Sequence, residues 1–222
     1  MLGTIRNSVL LAACFALAML APAGARASSI FFVETNTSSL TGSGYIDLQY
    51  EGNAGAGAST ATITGFSTNG ILGGPATISL MGDASGNLTS TVTILNGALN
   101  SSGYNDYNQA LTFGTFTAFE VVLSDPVGGT ANSGFALSFY ASDDMTNLLS
   151  TDPSGASALL TVEPDGTVMT TTYPDAGGAV DTIVTRGSEP SPVPEPPSFW
   201  GVGAGLALLA GGVARTRFLC RT

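Results

Sequence analysis

The chain of 222 residues contains no histidine and no lysine, and its two cysteines, Cys14 and Cys220, lie near its two ends. Its long central part therefore has no thiol, imidazole or primary amine side chain. These absences exclude a disulfide, a zinc–thiolate site and a cysteine nucleophile from that part. They also exclude a serine–histidine–aspartate triad, a serine–lysine dyad and a cysteine–histidine pair.

Positive charge is scarce and unevenly placed. All six basic residues are arginines, and Arg186 is the only one between Ser28 and Ser198. That stretch holds all sixteen acidic residues, so its net charge is −15. A surface of this sign repels nucleic-acid phosphate, and we predict no nucleic-acid partner.

Catalysis has little support in this composition. Paired carboxylates could act as they do in glycosidases, but no motif singles out one pair among the sixteen acids. We therefore predict that the protein is not an enzyme.

Residues 1–27 have the three parts of a signal peptide. Arg6 gives a positive start, Val9–Leu20 is apolar, and Ala25-Arg26-Ala27 is a cleavage site with small residues at its first and last positions. As a helix, the apolar run would span about 18 Å, less than the hydrocarbon core of about 30 Å. We therefore predict export with cleavage after Ala27.

Residues 28–186 show the alternation of a half-buried sheet. In Tyr45–Tyr50 the even positions are apolar and the odd positions mostly polar, and Phe135–Phe139 alternates large and small side chains. Such alternation places one face of a strand in a core and the other in water. The prediction is an all-β fold, formed as a single β-sandwich or jelly-roll-like extracytoplasmic domain.

Turn residues separate these runs. The clearest case is Pro164-Asp165-Gly166, which lies between two β-type runs and predicts a hairpin. Gly82–Asn87 and Asp152–Gly155 are further turn signals. Many short strands joined by such turns, without a fixed repeat, favour a sandwich over a solenoid or propeller.

Three segments of different composition follow this domain. Residues 187–197 form a proline-rich linker, which favours an extended spacer. Residues 198–214 are apolar and uncharged and predict a transmembrane helix, with Trp200 where an interfacial aromatic residue would lie. Residues 215–222 form a basic tail, which the positive-inside rule assigns to the cytoplasm. Its basic residues are Arg215, Arg217 and Arg221.

Within this tail, Val193-Pro194-Glu195-Pro196 precedes the glycine-, alanine- and leucine-rich span Gly201–Gly212 and then the arginines. This combination at the end of the chain resembles the PEP-CTERM sorting domain. The resemblance implies recognition by an exosortase, a membrane cysteine transpeptidase-like enzyme, with processing near Pro-Glu-Pro. It also implies a Gram-negative envelope and a cell that makes exopolysaccharide.

The chain departs from the family pattern in two places. Pro197 adds a proline after the motif, and Thr216 and Phe218–Cys220 dilute the arginine cluster. Both departures bear on the efficiency of processing. The preceding domain is similar to the small β-rich ectodomains that commonly carry this tail.

One segment of the domain has the composition of a sugar-binding loop. It combines aromatic rings with amides and a carboxylate, as carbohydrate sites do, and it precedes a predicted strand. We predict a ligand loop here, and tyrosines that cap the edge of the sandwich are the alternative. The residues are Tyr104, Asn105, Asp106, Tyr107 and Asn108.

Calcium is the metal that the composition favours, because it takes oxygen ligands. The candidate ligands are Asp83 with Asn87, in a glycine-rich loop, and Asp143 with Asp144, after the Phe135–Phe139 run. Turn formation explains both pairs equally well, since Asp and Asn accept hydrogen bonds from their own backbone. We predict no cofactor, with calcium as the alternative.

Export signal, domain and tail together predict a protein of the cell surface or extracellular matrix. It would pass through an intermediate anchored in the inner membrane. The resemblance implies a structural or adhesive role in an exopolysaccharide or biofilm matrix. The alternative is a carbohydrate- or calcium-binding module.

Overall fold

The computed structural model describes residues 28–96 and 105–188. Within these ranges the chain forms β-strands and one 3-10 turn, Pro75–Thr77, and no α-helix. The strands are β1 (Ser29–Asn36), β2 (Ser43–Gly52), β3 (Ser59–Thr68), β4 (Ile71–Leu72), β5 (Ile78–Met81), β6 (Ala84–Gly86), β7 (Thr91–Asn96), β8 (Asp106–Thr112), β9 (Phe116–Leu123), β10 (Ser133–Ala141), β11 (Ala156–Val162), β12 (Val168–Thr172) and β13 (Thr182–Arg186).

The strands form two antiparallel sheets. Sheet A has the order β13-β1-β9-β3-β7-β6, and sheet B has the order β12-β11-β10-β2-β8-β4, with β5 also paired to β8. The prediction of an all-β fold is confirmed for the described residues. Two antiparallel sheets around one apolar core are consistent with a β-sandwich.

The core lies between the sheets and is built from the alternate residues of each strand. Phe119 of β9 and Phe135 of β10 meet there edge to face, with ring centroids 6.5 Å apart. Aromatic rings favour this geometry because the positive edge of one ring approaches the negative face of the other. The predicted inward residues of β2 and β10 are all buried: Ile46, Leu48, Tyr50, Phe135, Leu137 and Phe139.

Buried polar side chains also join the two sheets. The Tyr50 hydroxyl of sheet B lies 2.6 Å from Ser59 Oγ of sheet A. Asn96 Nδ2 of sheet A donates a hydrogen bond to Ser133 Oγ of sheet B, also at 2.6 Å. A buried polar group without a partner is costly, so these pairs favour one alignment of the sheets over others.

The turn between β11 and β12 is the hairpin predicted from Pro164-Asp165-Gly166. The Gly166 amide donates to the Glu163 carbonyl at 2.9 Å, and Gly166 has φ +87°. Glycine adopts this left-handed conformation without the clash that a Cβ atom would cause. The hairpin prediction is confirmed.

The turn predicted at Gly82–Asn87 is wrong in part. Ala84–Gly86 form the short strand β6, which pairs with β7 at one edge of sheet A. Turn-type residues are tolerated there because an edge strand forms hydrogen bonds on only one side.

The predicted signal peptide (1–27), the linker from 189 onward, the span 198–214 and the basic tail lie outside the described residues. Inside the described ranges, no helix is long and apolar enough to cross a membrane. The strand β13 ends at Arg186, directly before the predicted linker.

Candidate functional site

The predicted ligand loop is mostly part of a strand. Tyr104 lies outside the described residues, Asn105 is buried, and the following residues form β8. Asn105 Oδ1 accepts a hydrogen bond from the Asp83 amide, and its Nδ2 donates to the Tyr50 carbonyl. The loop prediction is therefore wrong from Asp106 onward.

Tyr107 does not offer a ring face to a sugar. Its side chain is fully buried, because odd positions of β8 point into the core. Its hydroxyl donates to Gln109 Oε1 and accepts from the Leu88 amide. Burial raises the pKa of Tyr107 above its ordinary value. This tyrosine is a core residue whose polar end is satisfied internally.

One residue of each candidate calcium pair accepts hydrogen bonds within its own turn. Asn87 Oδ1 accepts hydrogen bonds from Thr89 and Ser90 in its own turn. Asp143 is exposed and accepts from residues 145 and 146, and these bonds lower the pKa of its carboxyl group. Among the residues that the structure describes, no three acidic side chains are spaced to share a metal ion. The placement of these residues therefore gives no support to calcium binding.

Three aspartates, one of them a candidate calcium ligand, come together on the outer face of sheet B. Asp47 lies on β2 opposite Asn108 of β8, and Asp106 of β8 lies opposite Gln49. Asp47 and Asp106 are thus diagonal neighbours across the two strands, within reach of each other. Asp144, from the loop after β10, accepts a hydrogen bond from Asn108 Nδ2 at 2.9 Å. We call Asp47, Asp106 and Asp144 the carboxyl cluster.

Asp47 is buried although it points away from the core, with only 3% of its surface exposed. Its Oδ2 accepts a hydrogen bond from Gln49 Nε2 at 2.7 Å. The Oδ1 atoms of Asp47 and Asp106 are buried and have no hydrogen-bond partner. The two carboxyl groups lie close enough for each to shift the pKa of the other. Since a carboxylate only accepts hydrogen bonds, a proton on one of the two would let it donate to the other.

The pKa shifts of Asp47 and Asp106 agree with a proton shared between them. Burial first, and then the contact with Asp106, raise the pKa of Asp47 to about 9. Burial also raises the pKa of Asp106, while its bond with Asp47 opposes that rise. Arg186, the only basic residue in the described ranges, lies on sheet A, where it bonds to Ser29 and covers the Phe31 ring. A proton on the pair thus reduces the negative charge of the cluster.

A groove lies beside the cluster on the same face. It has a volume of about 350 Å³. Gly134 and Ala136 of β10 form part of its floor, between the longer side chains of β2 and β11. Burial raises the pKa of Glu51 in its wall. Its polar lining residues are Gln49, Glu51, Asn53, Asn132, Ser133, Ser154 and Thr161. We call this the sheet B groove.

Sequence reasoning missed Asp47, Gln49 and Glu51. The alternation of β2 predicts that all three face water, yet Asp47 is buried, and Asp144 of the β10–β11 loop lies near it. The one available signal was an acidic residue between two apolar residues, Ile46 and Leu48. Asp106 and Asn108 were predicted as part of a ligand loop, and Asp144 as part of a calcium pair. The structure brings the three residues together.

The predicted sorting and processing residues cannot be placed beside this site. The cleavage residues Ala25 and Ala27, the Val193–Pro196 motif and the three terminal arginines lie outside the described residues. Comparison of the chain with family models, curated proteins and solved structures found no match.

Proposed function

We propose that the protein is exported and sorted to the cell surface or extracellular matrix, where its β-domain has a structural or adhesive role. The observation that carries the proposal is the order of segments along the chain. An export signal precedes an acidic domain without cysteine, and a proline spacer, an apolar segment and arginines follow it. The resemblance of this tail to PEP-CTERM sorting domains supports recognition by an exosortase-type enzyme.

The physical role of each tail segment follows from its composition. Proline lacks an amide hydrogen and clashes with the preceding helical turn, so the linker would stay extended. Each arginine at the centre of a span is unfavourable by about 2.5–3.5 kcal/mol on the insertion scale. Three arginines after a short apolar segment would therefore stop translocation and hold the chain in the inner membrane. The spacer would then expose Pro-Glu-Pro at the outer membrane face.

Two variants separate sorting from anchoring. Alanine in place of Pro194, Glu195 and Pro196 should leave membrane insertion intact and impair release from the membrane. Glutamate in place of the three terminal arginines should weaken retention or orientation instead. Comparison of membrane and medium fractions, in a host with an exosortase, tests both. Normal release of the alanine variant would remove the sorting proposal and leave an ordinary anchor.

A carbohydrate-binding role is the second candidate, and the sheet B groove favours it. Amide side chains both donate to and accept from hydroxyl groups, and carboxylates accept from them, as sugar sites require. The acidic surface would select neutral over anionic polysaccharides. The test is retention of the protein on a neutral polysaccharide resin. The double variant Gln49→Ala/Asn53→Ala should lose retention, and the control Glu34→Gln should keep it. Equal retention of all three proteins would contradict this role.

A further inference from the structure

The carboxyl cluster connects the β10–β11 loop (142–155) to sheet B. Asn108 on β8 donates to Asp144 on the loop, and Asp47 and Asp106 are diagonal neighbours beside them. Asp144 is the only non-glycine residue with positive φ, at 55°, among the described residues. Such backbone is held in place only when surrounding contacts favour it. The contact at Asp144 is one of these.

The same loop forms part of the wall of the sheet B groove. Ser154 of the loop and Gln49 of β2 both line the groove, and Gln49 donates to Asp47 Oδ2. The loop is also held away from the cluster, by the buried Leu149 and by three backbone hydrogen bonds. These bonds run from the Leu148 amide to the Phe139 carbonyl, from the Ala141 amide to the Thr146 carbonyl and from the Thr151 amide to the Pro174 carbonyl. The attachment at Asp144 is the one that lies beside the Asp47–Asp106 pair.

Loss of one proton from the pair would increase the negative charge beside Asp144. With one proton on the pair, the cluster carries two negative charges, and without it the cluster carries three. The neighbouring groups are Tyr140 and Ser138 on β10, Asn108 on β8 and Gln49 on β2, and none of them is a base. Tyr45 and Glu51, further along β2, also bring no positive charge. The added repulsion acts on Asp144, the one member of the cluster that lies on a loop.

We propose that the Asp47–Asp106 pair is a proton-dependent latch, which fastens the β10–β11 loop over sheet B while it holds a proton and releases the loop when it loses it. Gln49 bonds to Asp47, Ser154 lies on the loop, and both line the groove, so release of the loop would also reshape the groove. This inference does not depend on the identity of a ligand. It goes beyond the proposed sorting function.

The test is pulsed hydrogen exchange of the full chain at pH 6.5 and pH 9.5, read as protection factors that correct for the intrinsic effect of pH. We expect the Leu148 amide to lose about tenfold protection at the higher pH, while the amides of β9 in sheet A lose far less. Asp47→Asn, which cannot lose a proton, should keep the Leu148 amide protected at both pH values. Asp144→Asn, which removes the repelled charge, should reduce the loss.

Glu34→Gln, an exposed acid on sheet A, is the matched control and should respond as the unaltered protein does. Equal pH dependence in Asp47→Asn and the unaltered protein would overturn the proposal, as would uniform loss of protection in both sheets.

Discussion

Phe119 of sheet A and Phe135 of sheet B meet edge to face in the core, and this contact links the two layers. Phe135 is fully buried, so Phe135→Ala should lower the free energy of unfolding by about 3–5 kcal/mol. Phe32→Ala, where the ring is half exposed, should lower it by less than about 1 kcal/mol. Urea unfolding followed by circular dichroism measures both. Equal losses would contradict this account of the core.

Tyr107 provides a second test, because the sequence favoured a ligand role for it and the structure places it in the core. Tyr107→Phe should lower the free energy of unfolding by about 1–3 kcal/mol, since the Leu88 amide and Gln109 Oε1 would lose their buried partner. Tyr45→Phe, on the outer face of β2, is the control and should have a smaller effect. A neutral Tyr107→Phe substitution would argue against the described hydrogen bonds.

The stability of the domain should depend on pH through Asp47. Its pKa is about 9 in the folded chain against 3.8 for an ordinary aspartate, so the folded state binds the extra proton between these values. The stabilisation that this proton gives is fully present below pH 4 and is lost as the pH rises toward 9. The slope from this one group is at most about 1.4 kcal/mol of unfolding free energy per pH unit.

Asp47→Asn should remove this contribution. The variant should be more stable than the unaltered protein at pH 8–9, and the difference should shrink toward pH 4, where Asp47 is protonated in both folded and unfolded chains. Urea titrations across this range supply the measurement. A difference that does not change with pH would show that Asp47 does not carry the proton.

Gly166 tests the hairpin between β11 and β12. Its φ is +87°, and an added Cβ atom would lie 2.8 Å from Asp125 Oδ1. Gly166→Ala should therefore lower the free energy of unfolding by about 1 kcal/mol or more. Gly74→Ala is the matched control, because Gly74 has φ −67° and no atom within 4 Å of its Cβ position. Thermal unfolding of both variants separates backbone strain from a general effect of glycine replacement.

The sequence predicted those features that depend on neighbouring residues. Alternation in β2 and β10 identified the buried residues Ile46 and Phe135, and Pro-Asp-Gly identified a hairpin. The burial of Asp47 could not be predicted in this way, because its neighbours Asp106 and Asp144 lie about 60 and 100 residues further along the chain. Long-range contacts of this kind leave no local period to detect.

The candidate site shows the same limit. Asp106 and Asp144 were each noticed for a different reason, and only the pairing of β2 with β8 brings them to Asp47. Tyr107 has the composition of a sugar-binding residue, but its position on the inward face of β8 decides its role. Composition therefore identified some of the residues that meet, and strand register decided how they are grouped and which of them face solvent.

The most direct test of the central proposal is mass spectrometry of both ends of the native protein, recovered separately from membrane and medium. Export and sorting predict a chain that begins at Ser28 in both fractions. In the medium, the chain should also lack residues 198–222 and end near Pro194-Glu195-Pro196. A chain that still begins at Met1, or one released into the medium with Arg221 and Thr222 intact, would contradict the proposal.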